Sequence, residues 1–118
     1  MRILVIDDEP LVAGVVAEAL RTEDNEVVVA RSGEEGLRAM EQTPPDAVFL
    51  DMMMPGMDGV EVLRRIRGTH PDLPVIILTG WASESQLEDL RKLGVTDVIQ
   101  KPVPLQNLTR ALARSRQP

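Results

Sequence analysis

The sequence predicts an α/β fold, a doubly wound five-stranded parallel sheet with strand order 2-1-3-4-5. Three observations lead there. Strand-like apolar runs alternate with helix-period segments along the whole chain, the pattern of a parallel sheet covered on both faces. Ile3-Leu4-Val5-Ile6, Ala47-Val48-Phe49-Leu50 and Val75-Ile76-Ile77-Leu78 are unbroken by polar residues, as doubly buried strands require. Each of these runs, and the later Val98-Ile99-Gln100, stops at a polar group: Asp7-Asp8, Asp51, Thr79 and Lys101-Pro102. In open parallel sheets, ligands bind just outside the carboxyl ends of the strands, where strand order reverses.

The elements follow in order. Strands are expected near 2–6, 26–30, 46–50, 74–78 and 96–100, the second being Glu26-Val27-Val28-Val29-Ala30. The first helix, 10–22, opens on Pro10, which suits a first-turn position, and carries Leu11, Val12, Val15, Val16, Ala19 and Leu20 at helical spacing. The second, 33–42, carries Leu37, Ala39 and Met40; the third, 58–67, carries Val62, Leu63 and Ile66, with Asp58 as its N-cap. Ser83 caps the fourth, 84–93, with Leu87, Leu90 and Leu93 as its stripe and Gly94 as its stop. The last, 104–115, turns Leu105, Leu108, Leu112 and Ala113 inward. Crossovers are right-handed almost without exception, so strand order is the remaining choice. The order 2-1-3-4-5 sets Asp7, Asp8 and Asp51 side by side at the switch point, with Thr79 next and Lys101 reaching across from the edge. A dinucleotide fold is disfavoured, because an acidic pair replaces the phosphate-cradling glycines after the first strand.

Composition narrows the classes. A chain of 118 residues with 43% hydrophobic residues fits one folded domain. The net charge of −6 argues against non-specific nucleic-acid binding. No apolar run approaches the ~20 residues that span a bilayer. Asp7, Asp8 and Glu9 interrupt the first apolar stretch too early for a signal peptide, so the cytoplasm is the expected compartment. With no cysteine, disulfides and thiolate metal sites are excluded.

The residue types suggest a chemistry. Three gathered carboxylates repel one another and need a cation or raised pKa values at neutral pH. Mg²⁺ suits them, since it takes hard oxygen ligands and binds through one or two carboxylates plus phosphate oxygens. A carboxylate can attack phosphorus to give an aspartyl-phosphate, and an ammonium and a hydroxyl can stabilise the transferring oxygens. Lys101 and Thr79 supply those two groups. Adjacent acids such as Asp7-Asp8 are more commonly a solvated loop, a reading the other three polar strand ends weigh against. Met52, Met53, Met54 and Met57 are expected to pack beside the sheet. His70 lies in a loop and is given no role.

These residues resemble the receiver domain of two-component response regulators. The matching pieces are Val5-Ile6-Asp7-Asp8-Glu9-Pro10, Asp51 through Gly59, Leu78-Thr79-Gly80 and Lys101-Pro102. The resemblance covers 1–118 as a single receiver domain with the flavodoxin-like arrangement. It implies that Asp51 accepts a phosphoryl group from a sensor histidine kinase or phosphotransfer protein. It implies Mg²⁺ held by Asp8, Asp51 and the main-chain carbonyl of Met53, with Asp7 acting through water. Thr79 and Lys101 become the phosphoryl-oxygen partners, and Lys101-Pro102 a cis peptide. Phosphorylation would switch a protein-interaction surface around the fourth helix, fifth strand and fifth helix toward an output domain or target protein.

Two positions depart from the family pattern. Val98 stands where receivers carry Tyr or Phe three residues before the lysine, and Val103 replaces the Phe after Lys-Pro. Trp81 is the large aromatic nearest the site; it is expected as a half-buried loop anchor, with a substitute switch as the rival reading. A binding switch is favoured over an enzyme. The alternative is a small phosphatase that turns over an aspartyl-phosphate, but such enzymes place a general acid two residues after the nucleophile. Met53 holds that position and cannot shuttle protons.

Overall fold

A computed structural model describes residues 1–21, 24–52, 54, 58–101 and 105–115. The elements alternate as β1 (Arg2–Ile6), α1 (Pro10–Leu20), β2 (Glu26–Ala30), α2 (Gly33–Gln42), β3 (Ala47–Asp51), α3 (Gly59–Thr69), β4 (Val75–Thr79), α4 (Glu84–Lys92), β5 (Asp97–Gln100) and α5 (Leu105–Ser115). The five strands form one parallel sheet in the order β2-β1-β3-β4-β5, as expected.

Alternation along the strands divides the core in two. Leu4, Ile6, Val48, Leu50 and Ile77 point to one face, where Met40 of α2, Val62, Leu63 and Ile66 of α3 and Leu90 of α4 cover them. Ile3, Val5, Phe49, Ile76, Leu78 and Ile99 point to the other, against Val16, Ala17 and Leu20 of α1 and Leu108, Ala111 and Leu112 of α5. Both faces of β3 and β4 are buried throughout, which explains why these strands read as unbroken apolar runs.

The caps follow the sequence. Pro10 occupies the first turn of α1. Ser32, Asp58 and Ser83 each accept a hydrogen bond from the backbone N–H three residues on, and Ser83 with Gln86 completes a capping box. Gly94 ends α4 with φ of 71°, the left-handed conformation that favours glycine.

Several expectations need correction. In α1 the buried residues are Ala13, Val16, Ala17 and Leu20, whereas Leu11 and Val15 are exposed. Nearly every residue of that helix is small or apolar, so periodicity alone could not choose its inner face. In α5 Ala111 is buried and Ala113 exposed; the side chain of Leu105 lies outside the described residues. α1 ends at Leu20, and α3 runs on to Thr69, where His70 is its C-cap. β3, β4 and β5 each begin one residue later than expected; β3 and β4 also end one later, so Asp51 and Thr79 are the last residues of their strands. Of the methionines, Met52 and Met54 are buried, and Met53 and Met57 lie outside the described residues.

Candidate functional site

Strand register assembles the site. The last pair between β1 and β3 is Ile6 with Leu50, so Asp7 and Asp51 stand one step beyond it, at the carboxyl edge. Asp7 remains tied to the sheet by its N–H, which donates to the Ala30 carbonyl (3.0 Å). Asp51 pairs with Leu78, and Thr79, one residue further along β4, pairs with Gln100. Lys101 follows directly on β5, and its N–H donates to the Thr79 carbonyl (2.7 Å).

Asp7 and Asp51 are both almost fully buried. Lys101 crosses the end of β4 to reach them: its Nζ is 3.3 Å from Asp7 Oδ2, 3.3 Å from Asp51 Oδ1 and 3.2 Å from Glu9 Oε1. Burial disfavours the Lys101 ammonium, yet the charges of Asp51 and Asp7 and the hydrogen bonds to Glu9 and Asp7 outweigh it. The lysine pKa is raised above its ordinary value. One oxygen from each of Asp7, Asp8, Glu9 and Asp51 lies within 4.8 Å of the others. Three of these four carboxylates, Asp7, Glu9 and Asp51, contact the Lys101 ammonium.

Glu9 was missed as a site residue. Its N–H donates to Asp7 Oδ1 (3.0 Å), fixing that carboxylate, and its side chain makes no cap bond at the start of α1 but turns to Lys101. The signal is present in the acidic run Asp7-Asp8-Glu9, of which Asp7 and Asp8 alone are assigned a site role from sequence.

Thr79 is buried at the adjacent strand end, but its hydroxyl is engaged elsewhere. It donates to the Trp81 carbonyl (2.8 Å) and accepts from the Trp81 N–H (3.2 Å). The structure therefore gathers Asp7, Asp8, Asp51 and Lys101, and sets Thr79 beside them with its hydroxyl turned to the loop. The Met53 carbonyl, the Lys101-Pro102 peptide and Val103 lie outside the described residues. Trp81 is 72% exposed, so the half-buried anchor expected of it is not what the fold contains.

The family model for the response regulator receiver domain matches residues 3–113. The chain belongs to that family. It is the receiver domain of a two-component response regulator. "Response regulator MprA" of Mycobacterium tuberculosis is 39% identical over 100% of this chain and 53% of its own length, and MprA of Mycobacterium avium is 39% identical with the same coverage. The receiver thus spans about half the length of the curated relatives it matches. Among solved structures it resembles the receiver domain protein from Clostridium thermocellum, with a TM-score of 0.89 and 36% identity, covering 97% of this chain and 92% of that one. The CheY-like receiver domain protein from Methanospirillum hungatei gives a TM-score of 0.90 at 28% identity, covering 95% and 90%. The receiver domain of NtrX from Brucella abortus gives 0.88 at 33%, covering 96% of each chain. Among the described residues, no helix is long and apolar enough to cross a membrane.

Proposed function

We propose that Asp51 is the phosphoacceptor of this receiver. An Oδ oxygen of Asp51 attacks the phosphorus of a phosphohistidine on a sensor kinase or phosphotransfer protein. The new O–P bond forms as the P–N bond breaks, and the imidazole nitrogen leaves with the bonding pair. Lys101, held 3.3 Å from Asp51 Oδ1, supplies positive charge for the oxygens in transfer. The Thr79 hydroxyl is the second donor, once released from Trp81. The observation that carries this reading is the convergence of Lys101 on buried Asp51 at the carboxyl edge of the central strands.

The acidic cluster suits Mg²⁺. Its donors are all carboxylate oxygens, and Asp8 Oδ1 is buried with no hydrogen-bond partner among the described residues. Asp8 and Asp51 would hold the ion, Asp7 would act through water, and the Met53 carbonyl is proposed as a further ligand. When bound, the ion supplies charge neutralisation at the transferring phosphoryl group. The receiver residues otherwise do the positioning: Glu9 orients Asp7, and Asp7 and Glu9 hold Lys101 over Asp51.

The role is a switch and not turnover. Residues 1–118 act as one receiver unit whose phosphorylation alters the surface around α4, β5 and α5. That surface would be read by an output domain or a separate target, with slow autodephosphorylation as the reset, and the cytoplasm is the proposed compartment. Incubation with a phosphohistidine donor and Mg²⁺ should label Asp51 in a peptide map, and Asp51→Asn should abolish labelling while keeping the fold. Undiminished labelling of that variant rules the assignment out.

A further inference from the structure

A shallow recess of about 430 Å³ lies between the β4–α4 loop and β5, lined by Thr79, Trp81, Ala82, Leu87, Val98 and Gln100. Trp81 sits at its rim with its indole largely in solvent. The small Val98 side chain, itself only partly buried, forms part of the β5 wall.

A single proton links this recess to Asp51. A threonine hydroxyl carries one O–H. In the resting receiver that O–H goes to the Trp81 carbonyl, while the same oxygen accepts the Trp81 N–H. Thr79 cannot donate to the Trp81 carbonyl and to a phosphoryl oxygen on Asp51 at once. Whichever acceptor wins sets the state of the loop, and this is the differential interaction that a population shift needs.

The freed segment is short and bounded. On one side Thr79 is locked into β4; on the other Ser83 and Gln86 close a capping box at the start of α4. Only residues 80–82 lie between, with Trp81 at the centre. The helix behind the recess is lightly anchored, since Leu90 is the one residue of α4 that is fully buried. A tryptophan side chain can bury about 150–250 Å². Here it stands exposed beside an apolar wall formed by Ala82, Leu87 and Val98.

We infer that Trp81 is the moving aromatic of this receiver: its indole closes into the recess against Leu87 and Val98 when Thr79 turns to a group on Asp51. The device sits on the loop after β4, not on β5. The inference rests on the phosphoacceptor reading of Asp51, and the test separates the two.

The chain contains one tryptophan, so its fluorescence reports this residue alone. Acrylamide quenching is measured with and without Mg²⁺ plus beryllofluoride, and fluorine NMR follows bound beryllofluoride in the same samples. The expected result is a bound fluorine signal with quenching reduced about twofold or more and emission shifted to the blue. No bound fluorine signal would defeat the phosphoacceptor reading, and this inference with it. A bound signal with unchanged quenching would defeat this inference alone. Val98→Phe fills the recess from the strand and Leu87→Phe narrows it from the helix. Either variant should bind beryllofluoride with its indole still open to acrylamide. Protection equal to that of the parent in both would show that the indole closes elsewhere, and would overturn the recess as its destination.

Discussion

Gly59, the first residue of α3, lies against the backbone of Asp51. A Cβ on Gly59 would come within 2.9 Å of the Asp51 carbonyl oxygen and 2.7 Å of Met52 Cα, closer than real Cβ contacts allow. The Gly59 N–H donates to the Met52 carbonyl at 3.0 Å, so the helix start and the end of β3 are locked together. The obstructing atoms are backbone and cannot rotate away. Gly59→Ala should therefore cost about 1–3 kcal/mol, the range for overpacking a tight site. Urea denaturation measures that loss. Because the shift falls on the Asp51 segment, labelling of Asp51 should slow in the same variant even where it is fully folded; an unchanged labelling rate would separate the helix start from the site.

Among the described residues, Lys101 is the cation that faces Asp7 and Asp51 in the metal-free site. Removing it as Lys101→Met takes away the ammonium that buried Asp7 and Asp51 both face, a loss on the order of 3 kcal/mol at neutral pH without metal. Mg²⁺ should restore more stability to this variant than to the parent, since it replaces the missing charge. The sign of the pH dependence follows from the raised lysine pKa. A raised folded-state pKa gives stability that is complete below the unfolded value, about 10.4. It is lost as pH rises through the folded value. Metal-free parent protein should therefore weaken across the alkaline range more steeply than Lys101→Met. Parallel profiles in chemical denaturation would remove Lys101 as the source.

Metal should stabilise the folded chain by mass action, because the unfolded chain has no assembled cluster. At Mg²⁺ near a hundred times its dissociation constant, the gain is about 2.7 kcal/mol. Asp8→Ala removes the carboxylate whose Oδ1 is buried without a hydrogen-bond partner among the described residues. That variant should melt higher than the parent without metal, because like-charge repulsion is relieved, and its melting temperature should no longer climb with Mg²⁺. A climb equal to the parent's would move the ion away from Asp8.

What was legible in the sequence was what repeats. The apolar tetrads that stop at Asp7, Asp51 and Thr79, and the short run that stops at Lys101, mark both the sheet and its carboxyl edge, because buried central strands leave no polar residue until the edge. Side-chain direction was less legible. Leu11 and Val15 share the helical spacing of the buried residues because α1 is apolar on nearly every side, and Ala111 and Ala113 offer no contrast in residue type by which to place one of them inward. The engagement of Thr79 with Trp81 is a matter of hydroxyl orientation, which residue type alone does not encode. Glu9 was visible, but its partner Lys101 lies 92 positions away, and only the fold brings the two together.

Arg67 is the extreme case of that last difficulty, because its hydrogen-bond partners among the described residues are all main-chain carbonyls. Its Nε donates to Leu93 (2.6 Å), Nη1 to His70 (3.0 Å) and Leu73 (2.6 Å), and Nη2 to Gly94 (3.0 Å). One guanidinium thus ties the end of α3, the approach to β4 and the turn after α4, at the edge of the sheet opposite the acidic cluster. Burial lowers the Arg67 pKa, with Asp72 opposing, and a guanidinium starts high enough to stay charged at neutral pH. Arg67→Lys offers three donors on a single nitrogen in place of the planar fork and cannot reach four carbonyls spread around it. Charge-assisted hydrogen bonds contribute about 1.5–3 kcal/mol each, and several act together here, so Arg67→Ala should cost at least about 3 kcal/mol and Arg67→Lys most of that. The loss should be local first: amide exchange in α4 and in residues 93–95 should quicken more than in β1 or β3. Full rescue of stability and exchange protection by Arg67→Lys would show that charge, and not the fork, holds the end of α4.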